Sequence, residues 1–152
     1  MEILKKSLDY RFNLIKENMD LPLNGSVLDI GCGTGEITKE LSKEVTGADI
    51  KNFLKVKINF IKIKNNKIPI KDKNFDYVTF IDSLHHMKKE EQENILREAK
   101  RLAKIEVILF ENKPTLRAYI ADWLLNRLRY GLKMPIPLNF RNPYNWGGIY
   151  KK

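Results

Sequence analysis

Cysteine is nearly missing from this chain. One residue, Cys32, stands among 152, which excludes an intrachain disulfide and any cysteine-based zinc site. Such usage fits a reducing, cytoplasmic setting. Long apolar runs are missing as well: no stretch reaches the ~18 uninterrupted apolar residues that a membrane-spanning helix requires. The first ten residues interleave Glu2, Lys5, Lys6 and Asp9 with apolar positions, so they carry no secretory core. Histidine is confined to one adjacent pair, His85 and His86. Two neighbouring histidines supply only part of a metal's ligand set, and no metal is expected. Repeats and low-complexity tracts are absent.

What remains is sufficient for a single domain spanning residues 1–152. The chain is 43% apolar, enough for a real core, and its charged fraction of 31% does not suggest disorder. The net charge of +9 is unevenly placed: the first fifty residues hold six Lys/Arg against nine Asp/Glu, the rest twenty-two against ten. A basic region attracts nucleic acid, anionic lipid or acidic substrates. Scattered lysines with few arginines fit a Lys/Ile/Asn-rich composition equally well, so nucleic acid is not the favoured partner.

Periodicity lays out the elements. Residues 3–19 place Ile3, Leu4, Leu8, Phe12, Ile15 and Met19 on one helical face, giving an N-terminal helix within residues 1–20. A short apolar strand covers 26–30, and helical spacing returns over 36–44. A second strand covers 45–50 and a third lies within 58–63. Only seven residues separate those two strands, too few for an ordinary parallel crossover. Asn65-Asn66-Lys67 reads as a turn. A strand at 75–81, a helix at 89–103, a strand at 105–110 and a helix at 115–132 follow. From Met134 on, prolines and glycines point to extended or irregular backbone. This alternation argues for an α/β fold, with a doubly wound, mostly parallel sheet and helices on both faces. Ligands of such sheets bind beyond the carboxyl ends of the strands.

Glycines at 31, 33 and 35 follow a strand and precede helical spacing. Glycine tolerates positive φ and lets a ligand approach the backbone. The dinucleotide pattern would place a third glycine at 36, where this chain has Glu36. Asp29 and Glu36 flank the loop; two carboxylates there repel a pyrophosphate and suit a ligand bearing a sulfonium and an α-amino group. Asp49, closing the second strand, is placed to accept hydrogen bonds from ribose hydroxyls.

Residues 27–35, Val-Leu-Asp-Ile-Gly-Cys-Gly-Thr-Gly, resemble the first motif of the class I (Rossmann-like) S-adenosyl-L-methionine (SAM)-dependent methyltransferases. The resemblance continues through Thr46-Gly47-Ala48-Asp49-Ile50, then residues 68–78 with Ile68-Pro69 and Phe75-Asp76-Tyr77-Val78, then Ser83-Leu84-His85-His86-Met87. This order is similar to the small UbiE-like branch and covers about residues 10–112. It implies SAM as cofactor and S-adenosyl-L-homocysteine as product, with no metal. It places Asp29, Gly31, Cys32, Gly33 and Gly35 around the methionine portion, Asp49 on the ribose and Asp82 beside the cofactor. The branch usually has an acidic residue shortly before the Leu-Pro pair. Here that neighbourhood is Lys64-Asn65-Asn66, and Asn65 is the expected partner of the adenine amino group.

Methyl transfer from a sulfonium is an in-line displacement in which alignment supplies much of the rate. A proton acceptor is needed only for some nucleophiles. His86 and His85, next to Asp82, are the candidates, the alternative being helix capping or packing. Residues 113–152 are expected to form a helical and irregular cover. Within it Tyr119, Trp123, Tyr130, Phe140, Tyr144 and Trp146 stand among Arg117, Arg127, Arg129 and Arg141. Substrate lid, nucleic-acid platform, membrane-surface helix and ordinary packing all compete; the spacing of Tyr119, Trp123 and Tyr130 favours packing. Members of this branch follow the segment 140–146 with a helix and an antiparallel hairpin; only Gly147 to Lys152 remain here, so about five strands and no such hairpin are expected. Strand 105–110 is then an edge, to be covered by the C-terminal segment, a second copy or another partner. The expected acceptor is a small molecule. An RNA- or protein-directed methyltransferase and a SAM-binding, non-catalytic or truncated partner subunit are the alternatives.

Overall fold

The computed structural model describes residues 2–111, 115–131 and 139–141. Five strands, β1 (Ser26–Ile30), β2 (Glu44–Asp49), β3 (Asn59–Lys62), β4 (Phe75–Ile81) and β5 (Ala103–Phe110), form one sheet in the order β3-β2-β1-β4-β5. Every pairing is parallel. Helix α1 (Glu2–Asn18) precedes the sheet, α2 (Lys89–Leu102) joins β4 to β5, and α3 (Leu116–Tyr130) follows.

The central strand shows why the sheet is covered on both sides. Val27, Leu28, Asp29 and Ile30 are all buried, a continuous run in place of the alternation of a half-exposed strand. Leu28 and Ile30 pack with Val78 and Phe80 of β4 and with Ile95, Leu96, Ala99 and Leu102 of α2. Val27, of opposite parity, packs with Ile15 of α1, Leu41 and Ile81. Helix α2 has Glu90 and Glu91 in its first turn and Lys100 and Arg101 in its last, matching the helix dipole. Its buried Glu98 accepts the Ile68 N–H and pairs with Arg101, which also donates to the Ile68 and Ile70 carbonyls. The Arg101 guanidinium holds Glu98 down to about 2. This node fastens the segment between β3 and β4 to α2.

The helix expected over 36–44 is a correction. Only one 3-10 turn forms there, Thr38–Glu40. The crossover must return from the end of β1 to Glu44, which pairs with Ser26 at the start of β1. That is a distance of ~17 Å for a five-residue strand. Eight α-helical residues would advance only ~12 Å, so the segment is drawn out. The link between β2 and β3 is irregular, as its length requires, and folds onto the glycine loop: the Lys55 N–H donates to the Thr34 carbonyl at 2.9 Å.

Among the described residues β5 pairs only with β4, and Ile105 is 65% exposed. The expected cover over 132–138 and 142–152, including Tyr144 and Trp146, lies outside the described residues. Within α3, Tyr119 packs edge-on against Phe140 with centroids 4.6 Å apart, while Trp123 is half exposed. The packing expectation therefore holds for Tyr119 and not for Trp123. No described helix is long and apolar enough to cross a membrane.

Candidate active site

A cavity of about 250 Å³ opens beyond the carboxyl ends of the central strands. Its floor is the turn that leaves β1. Gly31 takes φ +78°, and a Cβ there would sit 2.5 Å from the Ser83 Cβ; any side chain at this position is both strained and obstructed. The Gly31 and Cys32 N–H groups donate to the Ala48 carbonyl at 2.7 and 3.3 Å, tying the turn to β2. The Gly33 N–H donates to Asp49 Oδ2 at 3.0 Å, and the Ile50 N–H to Asp49 Oδ1 at 2.7 Å. Asp49 is thus held rigidly at the tip of β2, and each oxygen retains acceptor capacity.

Asp29 is fully enclosed. Thr38 donates to its Oδ2 and Thr79 to its Oδ1. Burial raises it to about 6, against the pull of those two hydroxyls and with a smaller push from Asp49. Burial also raises Asp49, opposed by its backbone donors. Two desolvated carboxylates beside one cavity give it an affinity for positive charge. Burial likewise keeps Cys32 a thiol; its sulfur would lie 2.7 Å from a Cβ at Gly47, so it fills space against β2.

The opposite wall is assembled from distant segments. Asp82 ends β4 in the left-handed region at φ +49°. Arg11 of α1 reaches its Oδ2 through Nε at 2.9 Å and Nη2 at 2.7 Å. The 3-10 turn Leu84–His86 follows. Glu111 caps it, accepting the Ser83 and Leu84 N–H groups on Oε1 and holding His85 Nδ1 at 2.6 Å with Oε2. His85 is stacked on Phe140. Asp122 Oδ2, from α3, lies 3.3 Å from His85 Nε2 and 3.4 Å from His86 Nε2. Asn126 donates to the same oxygen at 2.9 Å. Burial pulls His85 down, but the Asp122 and Glu111 carboxylates outweigh it and bring the ring to about 9. Burial, reinforced by the charge of His85, lowers His86 to about 4.

Of the residues expected from sequence, Asp29, Gly31, Cys32, Gly33, Asp49, Asp82 and His86 line the cavity. Gly35, Asn65 and His85 are not in its lining. Gly35 faces the β2–β3 link, where a Cβ would meet Leu54 at 2.6 Å. Asn65 is exposed at the tip of a tight turn between Lys64 and Lys67; its neighbour Asn66 lines the cavity instead. Both asparagines have positive φ, the geometry of a type I′ turn, and a turn of that kind sends the two side chains different ways. Sequence reasoning missed Arg11, Glu111, Asp122 and Asn126. For the last two a signal existed: Asp122 and Asn126 are polar residues at i and i+4 in an otherwise apolar stretch of α3.

Residues 28–110, more than half of the chain, match the family model described as a methyltransferase domain. The chain belongs to this methyltransferase family. A solved structure from Pyrococcus horikoshii is 27% identical over 78% of this chain and 58% of its own, with a TM-score of 0.63. A SAM-dependent methyltransferase from Archaeoglobus fulgidus is 20% identical over 93% of this chain and 66% of its own, TM-score 0.66. One from Thermotoga maritima is 18% identical over 91% and 66%, TM-score 0.67. The chain spans 58–66% of the length of these relatives. No curated protein sequence matches it.

Proposed function

We propose that this chain binds SAM in the cavity and transfers its methyl group to a small-molecule acceptor in the cytoplasm. The observation that carries the reading is Asp49. Its carboxylate is fixed by the Gly33 and Ile50 N–H groups at the tip of β2 and keeps lone pairs for two ribose hydroxyls. The residues present fit the rest of the molecule. Asp29 and Asp49 favour its positive charge, the loop 31–33 lets it approach the backbone, and Asn66 lies where a polar adenine edge would be met. Arg11, on the far wall, offers a cation to its carboxylate. When bound, SAM supplies an activated methyl group and leaves as S-adenosyl-L-homocysteine.

The chain's own contribution is alignment. His86, with Asp122 and Asn126, stands at the wall across from the loop and meets the acceptor there, as proton acceptor or as ligand. His86→Ala is therefore expected to lower turnover by ~100-fold or more while SAM affinity stays nearly unchanged. Equal losses in rate assays and calorimetry would argue against a role at the acceptor.

The lysines Lys51, Lys55, Lys57, Lys62, Lys64 and Lys67 are all exposed around the β2–β3 side of the sheet, which favours an RNA-directed methyltransferase as the second reading. Labelled SAM with fractionated metabolite and RNA extracts decides between the two. Label in the metabolite fraction supports the first. Label in RNA, with binding that weakens steeply as salt rises, supports the second. SAM binding with label in neither fraction would favour a subunit that needs another chain.

A further inference from the structure

The acceptor wall carries a feature that methyl transfer by alignment does not require. His85, His86 and Asp122 each offer one ligand atom, and these atoms lie within 4.8 Å of one another. Asp122 Oδ2 stands 3.3 and 3.4 Å from the two Nε2 atoms. Bonds of ~2.0–2.1 Å to a tetrahedral ion set neighbouring donors ~3.3 Å apart. The two distances from Asp122 to the histidines are those of a ligand edge. His85 Nε2 is buried and faces Asp122 Oδ2 at 3.3 Å as an ion pair without hydrogen-bond geometry, an arrangement that a shared cation between the two atoms would satisfy. The opposite nitrogen, Nδ1, is held by Glu111 at 2.6 Å. A carboxylate on one ring nitrogen fixes the ring and directs the other nitrogen to a metal. Asn126 donates to the same Asp122 Oδ2 at 2.9 Å, fixing the carboxylate while leaving that oxygen a further lone pair.

We infer that His85, His86 and Asp122 form a binding site for one divalent cation of the zinc class, with its fourth position open to the cavity. Two imidazoles and a carboxylate suit zinc or cobalt better than magnesium or calcium. The sequence alone argued against a metal because the two histidines lacked further ligands; α3 brings Asp122 from 36 residues away. Resting on the proposed function, the open position takes an oxygen of the acceptor, and His86 then acts as a ligand and not as a proton acceptor. That narrows the acceptor class to small molecules with a coordinating hydroxyl or enol.

The test uses the full chain without a histidine tag, stripped with chelator and titrated with Co²⁺. The chain has only two histidines, so proton NMR identifies the ligands without mutation. The expected result is one Co²⁺ per chain, a tetrahedral visible spectrum and paramagnetically shifted ring signals from both histidines. Asp122→Asn is expected to weaken binding tenfold or more, and Glu111→Gln by ~10–100-fold. No binding, or binding that shifts neither histidine, overturns the inference. Calorimetry with SAM on the stripped chain separates the two readings. SAM binding without cobalt binding leaves the proposed function standing and removes the metal. Cobalt binding without SAM binding does the reverse.

Discussion

The two walls of the cavity are built on different plans. The floor comes from a compact stretch, Asp29 to Asp49, with Thr79 beside it. Its charged groups are locked by backbone N–H donors and buried hydroxyls. The opposite wall joins Arg11, Asp82, the two histidines, Glu111, Asp122 and Phe140, drawn from α1, the turn after β4, the end of β5, α3 and the segment beyond it. A floor made of strand ends is rigid because the sheet fixes it. A wall made of side chains from five segments can change its contents while the sheet stays the same.

Substitutions sharpen that contrast. The largest effect is expected from Gly31→Val, which places a branched side chain at φ +78° against Ser83. SAM affinity should fall by ~100-fold, or ~3 kcal/mol; calorimetry showing a loss under threefold would mean the floor is softer than described. Arg11→Ala removes an ion-pair partner of a nearly inaccessible Asp82 carboxylate. We expect affinity to drop about tenfold and urea stability to fall by ~1–2 kcal/mol, because the wall is held by this contact while the floor is not. An unchanged affinity would place Arg11 outside the ligand's reach.

The smallest effect is a pH dependence. Asp29 is raised to about 6 from its ordinary value of 3.8, so folding favours its protonated form. As pH falls through about 6 this group adds stability, in full once the pH is below the unfolded value. Its attraction for a sulfonium moves the other way. SAM affinity at pH 5 should thus be weaker than at pH 7.5 while thermal stability shows no matching loss from this residue. Asp29→Asn should flatten the affinity profile.

The same contrast governs what could be read from the sequence. Strand β4 runs over Phe75–Ile81 as its apolar pattern states, and β1 over Ser26–Ile30. Both are central strands, where burial on two faces writes the run plainly. That Asp29, Gly31, Gly33 and Asp49 gather at one cavity was legible because they sit at fixed offsets from strand ends; Gly35 is not in its lining. The 36–44 helix was not, because periodicity carries no information about the distance a crossover must span. Asn66 displaced Asn65 because the turn's positive φ values reverse the direction of neighbouring side chains. Arg11 and Glu111 lie on the wall only through tertiary packing, 71 and 26 residues from their partners.

Asp49 and the glycine turn are proposed to hold SAM. Calorimetric titration of SAM into the chain and into Asp49→Ala tests this most directly. One SAM per chain is expected, with affinity ~10–100-fold weaker in the variant, the scale of a lost charge-assisted hydrogen-bond pair. No binding by the parent chain, or equal binding by a folded Asp49→Ala, would contradict it.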